Sequence, residues 1–129
     1  MIHRILVADD EDLDRELMLE TLRAILPEAQ ICTASNGREA CDLIESDSFD
    51  AVFSDLRMPQ GDGLKVLARA RAMDGPDVVI ITGDGDIPTA VQAMKSGCFD
   101  YLLKPISADQ VEAVLTKLRE HRRLVQENA

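Results

Sequence analysis

Residues 5–11 read ILVADDE, a run of four apolar residues followed directly by three acidic residues. Four consecutive apolar residues are typical of a strand that is buried on both faces, as the strands of a parallel sheet are. Acidic residues directly after such a strand would lie at the carboxyl edge of the sheet, where open α/β sheets bind their ligands. This stretch therefore predicts a buried first strand with a polar site at its end.

The same unit, a short apolar run followed by an amphipathic helical segment, recurs along the chain. The further apolar runs are residues 31–34, 51–54, 78–81 and 101–103. Pro27 follows the first helical pattern, and Pro88 stands in the first turn of the fourth, where proline is tolerated. Five strands alternating with five helices predict an α/β fold, a doubly wound five-stranded parallel sheet with helices on both faces. We expect the flavodoxin-like strand order 2-1-3-4-5, although periodicity alone does not determine it.

Composition narrows the range of functions. The 129 residues are the size of one domain, and 46% hydrophobic residues with only 3% aromatics predict an aliphatic core. The 24 acidic residues outnumber the 14 basic ones, for a formal charge of −10. Such a chain would be repelled by phosphates, so we expect no direct nucleic-acid binding and no membrane binding. No apolar stretch approaches the length of a membrane span.

The cysteines indicate a reducing compartment. Cys32, Cys41 and Cys98 are odd in number and show neither a disulfide framework nor metal-ligand spacing. We expect reduced, buried thiols. Together with the lack of a signal-peptide pattern near Met1, they predict a cytoplasmic location.

Polar residues follow four of the five predicted strands, namely Asp9 and Asp10, Asp55, Thr82 and Lys104. A single Asp after a strand often does no more than cap the next helix, but four strand ends together favour a site. Three carboxylates at one edge repel one another and need a cation, and oxygen ligands suit Mg²⁺. With a lysine and a hydroxyl beside them, the set suits phosphoryl transfer to a carboxylate nucleophile.

The chain resembles the receiver domains of two-component response regulators from about residue 3 to about residue 119. The motifs that carry the resemblance are ILVADDE at 5–11, SDLRMP at 54–59, GDG at 61–63, ITG at 81–83 and FDYLLKP at 99–105. Their order and spacing make the resemblance specific. It implies a phosphoacceptor switch rather than an enzyme, with slow self-dephosphorylation only.

The resemblance also implies roles for the acidic residues. Asp55 would accept a phosphoryl group from a phosphohistidine of a sensor histidine kinase. Asp10 would bind Mg²⁺ directly and Asp9 directly or through water, with Asp55 and the backbone carbonyl of Arg57 as further ligands.

Three further residues and one surface take their roles from the same resemblance. Lys104 would contact the phosphoryl group, and the Lys104–Pro105 bond would be cis. Thr82 would turn toward the phosphate, and Tyr101 would follow it inward from an exposed position. The surface of the fourth helix, fifth strand and fifth helix would then change, and a homodimer could form through it.

The final helical pattern continues past the predicted domain. We assign residues 1–119 to the receiver and residues 120–129 to a helical extension or the start of a linker to a C-terminal output domain. Val111, Leu118 and Val125 recur every seven residues, as in a coiled coil, but a solvated helix end fits equally well because two heptads are too short to decide. The segment resembles the linkers of sigma-54-dependent activators, whose output controls transcription.

Two other classes of function remain open. A Mg²⁺-dependent phosphatase with an Asp nucleophile would use an Asp-x-Asp spacing, which Asp10 and Asp12 have, although Asp55 is the better-placed nucleophile and no cap domain fits in this length. A flavodoxin-like cofactor carrier would need a loop rich in Ser, Thr and Gly after the first strand, where residues 9–11 are acidic instead.

Overall fold

Five strands and five helices alternate along the chain, as predicted. The computed structural model describes residues 2–83 and 85–127, and for residues 126 and 127 only the backbone. The elements are β1 (Arg4–Ala8), α1 (Asp12–Ile25), β2 (Gln30–Ala34), α2 (Gly37–Ser46), β3 (Ala51–Asp55), α3 (Gly63–Ala72), β4 (Asp77–Thr82), α4 (Ile87–Lys95), β5 (Asp100–Leu103) and α5 (Ala108–Glu127). Each strand includes its predicted apolar run and extends beyond it by at most two residues.

The strands form one parallel sheet in the order β2-β1-β3-β4-β5, which confirms the predicted topology. β1 lies between β2 and β3, so that Leu6 pairs with Cys32 on one side and with Val52 on the other. Every residue of β3 is buried. The direction of the crossovers changes beside β1, which places the ligand-binding crevice of such sheets at the ends of β1 and β3.

The core has two layers because successive strand residues point to opposite faces of the sheet. Leu6 and Ala8 of β1 pack on the face covered by α2, α3 and α4. Ile5 and Val7 pack on the opposite face, against α1 and α5. Phe53 of β3 is the largest fully buried side chain, and the rest of the core is mainly aliphatic, as the composition predicts.

Side chains at the starts of the helices fix where α2, α3 and α4 begin. The carboxamide oxygen of Asn36 accepts a hydrogen bond from the backbone N–H of Glu39 at 2.8 Å. Asp62 caps α3 in the same way, and Asp86 caps α4 with Pro88 in the first turn. These caps satisfy backbone donors that have no partner within the helix.

The helical extension is a direct continuation of α5, which runs to Glu127. Of the three residues with heptad spacing, Val111 and Leu118 are buried and Val125 is 51% exposed. Near this exposed end, Arg122 lies 3.4 Å from a carboxylate oxygen of Asp50. Asp50 precedes β3 and so lies at the amino edge of the sheet, opposite the edge that carries Asp9 and Asp55. The predicted tail beyond Glu127 lies outside the described residues.

The prediction of buried thiols is right only for Cys98. Cys32 and Cys41 are half-buried, since Cys32 lies on the edge strand β2 and Cys41 packs only against the border of the core. All three cysteines are free. Among the helices of residues 2–83 and 85–127, none is long and apolar enough to cross a membrane.

Gly37, the first residue of α2, lies against the backbone of Gly61, so that a Cβ at this position would overlap the Gly61 carbonyl group. We expect Gly37→Ala to lower the free energy of unfolding by about 1–3 kcal/mol, despite the better helix propensity of alanine, because this backbone contact cannot relax cheaply. Denaturant unfolding of the variant and the wild type would measure the difference.

Gly83→Ala is the matched control, because a Cβ there would have no neighbour within 4 Å. Its stability should change little. Equal stability of the Gly37 and Gly83 variants would show that α2 and the loop before α3 can move apart without cost.

Candidate functional site

Three carboxylates meet at the carboxyl edge of the sheet, where the strand order predicted them. Asp55 is the last residue of β3, and Asp9 and Asp10 directly follow β1. Asp9 and Asp55 are only 6% and 7% exposed, whereas Asp10 is exposed. One oxygen from each of the three carboxylates lies within 4.8 Å of the others, which is close enough for all three to contact a single cation.

Backbone contacts hold the two buried carboxylates in place. The N–H of Asp9 donates to the carbonyl of Ala34 at 3.1 Å, and its Oδ1 accepts from the N–H of Glu11 at 2.9 Å. Behind Asp55, the start of α3 comes so close that a Cβ on Gly63 would lie 2.6 Å from the Asp55 carbonyl oxygen. Both carboxylates are therefore presented by rigid backbone rather than by a mobile loop.

Lys104 brings one positive charge to this cluster. Its Nζ lies 3.2 Å from Asp9 Oδ2, 3.3 Å from Asp55 Oδ2 and 2.8 Å from Asp14 Oδ2. Its own backbone N–H donates to the carbonyl of Thr82 at 2.8 Å, and the following bond to Pro105 is cis, as the resemblance implied.

Asp14 is the residue at this site that the sequence analysis missed. It lies in the first turn of α1, in a segment whose apolar positions alone were used to recognise the helix. Acidic residues are common in the first turn of a helix because they interact favourably with the helix dipole. The position of Asp14 in the sequence therefore does not indicate a functional site. Only the approach of α1 to the loop after β5 brings Asp14 to Lys104.

The electrostatics of the cluster are dominated by burial and by the crowding of negative charge. Burial, and then the neighbouring charge of Asp9, raise the pKa of Asp55 from 3.8 to about 6, and Lys104 opposes the rise only in part. Burial lowers the pKa of Lys104, but the hydrogen bond to Asp14 and the charges of Asp55 and Asp9 outweigh it and hold the pKa above its usual value. Lys104 is therefore a permanent cation beside a carboxyl group that resists ionisation.

Thr82 and Tyr101 lie on adjacent strands beside the cluster. Thr82 ends β4 and is 1% exposed. Tyr101 of β5 is half-buried and packs against the core, and its hydroxyl oxygen is inaccessible to solvent. The expectation of an exposed Tyr101 is therefore wrong for this structure, because the ring is accommodated beside the core face that α4 covers.

Arg57 lies on the other side of the acidic residues from Lys104. It lines a shallow depression together with Asp10. Its side chain is 61% exposed, and its guanidinium group lies 3.9 Å from Asp86, the cap of α4. The Arg57 side chain therefore lies beside the start of α4.

A cavity of about 410 Å³ adjoins the site between α1 and the loop after β5. Asp55 and Lys104 line its polar end, while Leu17, Met18 and Ile106 line its apolar end. On the surface of α1 nearby, Leu17 is 53% exposed. The acidic cluster is therefore open to a second molecule from this side.

Asp12 does not join the cluster. Its side chain is 92% exposed and pairs with Arg15 at 2.6 Å. The Asp-x-Asp pair that a phosphatase would need between Asp10 and Asp12 is thus not assembled at this edge of the sheet.

The sequence and the fold match known proteins of one family. The sequence model of the response regulator receiver domain matches residues 5–116. The chain is 39% identical to the C4-dicarboxylate transport transcriptional regulatory protein DctD of Rhizobium meliloti, over 95% of this chain and 26% of that protein. It is 38% identical to the regulatory protein AtoC of Escherichia coli, over 90% of this chain and 25% of that protein. It therefore spans about a quarter of the length of these relatives.

Solved structures agree with the sequence match. A response regulator receiver domain protein from Clostridium thermocellum superposes with a TM-score of 0.78 at 30% identity, over 96% of this chain and 99% of that one. The receiver domain of the Francisella response regulator 1452 superposes with a TM-score of 0.77 at 27% identity, over 93% and 98%. By its sheet order and by the match over residues 5–116, this chain belongs to the response regulator receiver domains of two-component systems.

Proposed function

We propose that this domain is a phosphorylation switch in which Asp55 accepts a phosphoryl group from a phosphohistidine of a sensor histidine kinase. The observation that carries the proposal is the cluster itself, a buried carboxyl group, that of Asp55, with two further carboxylates for a cation and one lysine for an oxyanion. Each of these groups has a use in phosphoryl transfer, which depends on positioning and on charge neutralisation.

In the proposed reaction an oxygen of the Asp55 carboxylate attacks the phosphorus atom. The O–P bond forms as the P–N bond of the phosphohistidine breaks, and the electron pair of that bond stays on the imidazole nitrogen. The product is an acyl phosphate. The ammonium group of Lys104, 3.3 Å from Asp55 Oδ2, and the hydroxyl of Thr82, at the end of the neighbouring strand β4, would donate to the phosphoryl oxygens of that product.

Asp9, Asp10 and Asp55, with the backbone carbonyl of Arg57, fit the oxygen ligands that Mg²⁺ prefers. Burial and then the neighbouring charge of Asp9 raise the pKa of Asp55, and the second cause is a reason for a cation, because a cation would relieve the repulsion between carboxylates. When bound, Mg²⁺ would neutralise part of the charge on the transferring phosphoryl group. Because Asp10 is exposed, a cation held by this residue would be accessible to solvent and to the donor.

The domain would signal by a shift between two conformations, one of which binds the phosphoryl group through Thr82. Thr82 pairs with Leu103 in the sheet, so a movement of the β4 end would reach β5. The surface there is apolar and exposed: Ile87, Met94 and Leu103 are 76%, 54% and 51% exposed. We propose this face, made by α4, β5 and α5, as the one through which a homodimer would form.

We propose that residues 1–119 form the receiver and that residues 120–129 begin the connection to a C-terminal output domain. The relatives are about four times longer than this chain, and DctD is named as a transcriptional regulator. Control of transcription, in the sigma-54-dependent class that the tail resembles, is the output we favour. A cytoplasmic location and a cytoplasmic kinase domain as partner follow from this proposal.

A stoichiometric switch and a turnover enzyme differ in one measurable respect. The switch takes about one phosphoryl group per chain and releases it slowly, whereas a phosphatase turns over. Because Asp12 pairs with Arg15 at the surface, the chain lacks the second carboxyl group of the phosphatase arrangement next to Asp10.

Incubation with acetyl phosphate and Mg²⁺ should add a single phosphoryl group to the wild-type chain, and none to Asp55→Asn. Intact-mass spectrometry measures the addition, and its lability in alkali identifies an acyl phosphate. Asp109→Asn, which removes a carboxylate from the exposed first turn of α5, is the control and should be modified like the wild type. Modification that persists in Asp55→Asn would place the acceptor elsewhere.

Mg²⁺ should raise the thermal stability of the wild type in a concentration-dependent way, because it binds a cluster that exists only in the folded chain. Asp10→Asn should lose most of this stabilisation. The fold of the Asp10→Asn variant should be unaffected, because Asp10 is exposed. An unchanged Mg²⁺ response in Asp10→Asn, measured by thermal melts beside Asp109→Asn, would remove Asp10 from the proposed ligands.

The raised pKa of Asp55 predicts a pH-dependent stability in metal-free buffer. Between the unfolded value of 3.8 and the folded value of about 6, the folded chain holds a proton that the unfolded chain has released. The free energy of unfolding therefore falls as the pH rises from about 3.8 to about 6, and the Asp55 contribution changes little above that value. We expect Asp55→Asn, which cannot ionise, to be more stable than the wild type at about pH 7.5 and to lose much of that advantage at about pH 5.

Denaturant unfolding at the two pH values, in the presence of a chelator, measures this difference. Asp109→Asn should show no comparable pH-dependent advantage, since its carboxylate is exposed. An advantage of Asp55→Asn that is the same at both pH values would contradict the burial of the Asp55 charge.

A further inference from the structure

The ammonium group of Lys104 is shared between several carboxylates. An ammonium group has three N–H donors. In this structure the Nζ of Lys104 lies within hydrogen-bond distance of three carboxylates, those of Asp9, Asp14 and Asp55. A phosphoryl group on Asp55 would therefore meet a lysine whose donors are all engaged, and one of the existing contacts must break for Lys104 to bind it.

The distances and roles of the three carboxylates identify which contact competes. The contact to Asp14 is the shortest, at 2.8 Å, against 3.2 Å to Asp9 and 3.3 Å to Asp55. Phosphorylation would itself remove the negative charge of the Asp55 carboxylate, and a cation would compensate that of Asp9. Asp14 would keep its full charge, because it is not one of the residues grouped around the cation position.

Asp14 can also release the lysine at low cost. Its side chain is 41% exposed, whereas those of Asp9 and Asp55 are 9% exposed, so water can replace the ammonium group as its partner. A contact between partly exposed charges is moderate in strength, and it is made and broken reversibly.

We propose that Asp14 is a positioning residue that holds Lys104 away from the incoming phosphoryl group and so slows phosphorylation of Asp55. The proposal rests on the proposed function, in which Lys104 binds the phosphoryl oxygens. Asp14 acts through Lys104 and does not itself touch the reacting atoms. It sets the rate at which the switch responds to a donor, and leaves the acceptor residue and the cation ligands as they are.

The first test is the rate at which Asp14→Asn is phosphorylated by acetyl phosphate with Mg²⁺, followed by intact mass. We expect the rate to be about three- to tenfold higher than that of the wild type, the range that a partly exposed charge-assisted hydrogen bond accounts for. A small donor is used so that contacts with a kinase have no influence.

Asp12→Asn is the matched control. Asp12 lies in the same first turn of α1 and carries the same charge, but pairs with Arg15. This variant therefore reproduces the loss of one negative charge near the anionic donor, and the loss of one favourable charge at the start of the helix, without releasing Lys104. Its rate should stay close to that of the wild type.

A second readout reports on the contact without any phosphorylation. In protein containing isotope-labelled lysine, the NMR signal of the Lys104 ammonium group, identified by its loss in Lys104→Met, should shift in Asp14→Asn and not in Asp12→Asn. Asp14→Glu, which can restore a carboxylate near the same place, should return both the signal and the rate toward those of the wild type.

The outcomes separate this proposal from the proposed function. A wild type that takes up no phosphoryl group would refute both. A modified wild type with Asp14→Asn at or below its rate, or at the rate of Asp12→Asn, would refute the role of Asp14 alone. An unshifted Lys104 signal in Asp14→Asn would refute the contact from which the role is inferred.

Discussion

The concentration of negative charge at one edge of the sheet is the constraint on which the rest of this structure depends. Asp9 and Asp55 are almost fully buried, and Lys104 is the one lysine paired with them among residues 2–83 and 85–127. Buried carboxylates that lie together disfavour ionisation, which is visible in the raised pKa of Asp55. The fold must therefore hold in place a group of side chains that would lower their energy by moving apart.

The sheet and its two helical layers supply the rigidity that this requires. β1 and β3 are neighbours in the middle of the sheet and are packed on both faces by aliphatic side chains. Their backbones cannot shift without opening a core that is as close-packed as those of other proteins. The burial of apolar surface elsewhere in the fold therefore offsets the unfavourable free energy of bringing these carboxylates together, as is common where function requires strain or repulsion.

Lys104 connects this cluster to the parts of the domain that could respond to it. Its side chain reaches carboxylates that follow β1 and β3 and one on α1, and its backbone is bonded to Thr82 at the end of β4. A change in charge at Asp55 would redistribute the contacts of this one residue. The elements that it links are α1, which lines the cavity beside the site, and the ends of β4 and β5, next to the exposed apolar side chains of Ile87 and Leu103.

The amino-acid sequence is enough to predict the alternation of strands and helices and the family, since both depend on local periodicity and on motifs that are continuous in the chain. Because parallel strands end at one edge, it also predicted that Asp9, Asp10, Asp55, Thr82 and Lys104 would converge. Tertiary packing, in contrast, sets the burial of Asp9, the exposure of Asp10 and the half-buried position of Tyr101. It alone placed Asp14 against Lys104, 90 residues away in the chain, since that contact arises from the packing of α1 beside the loop after β5 and leaves no local pattern in the sequence.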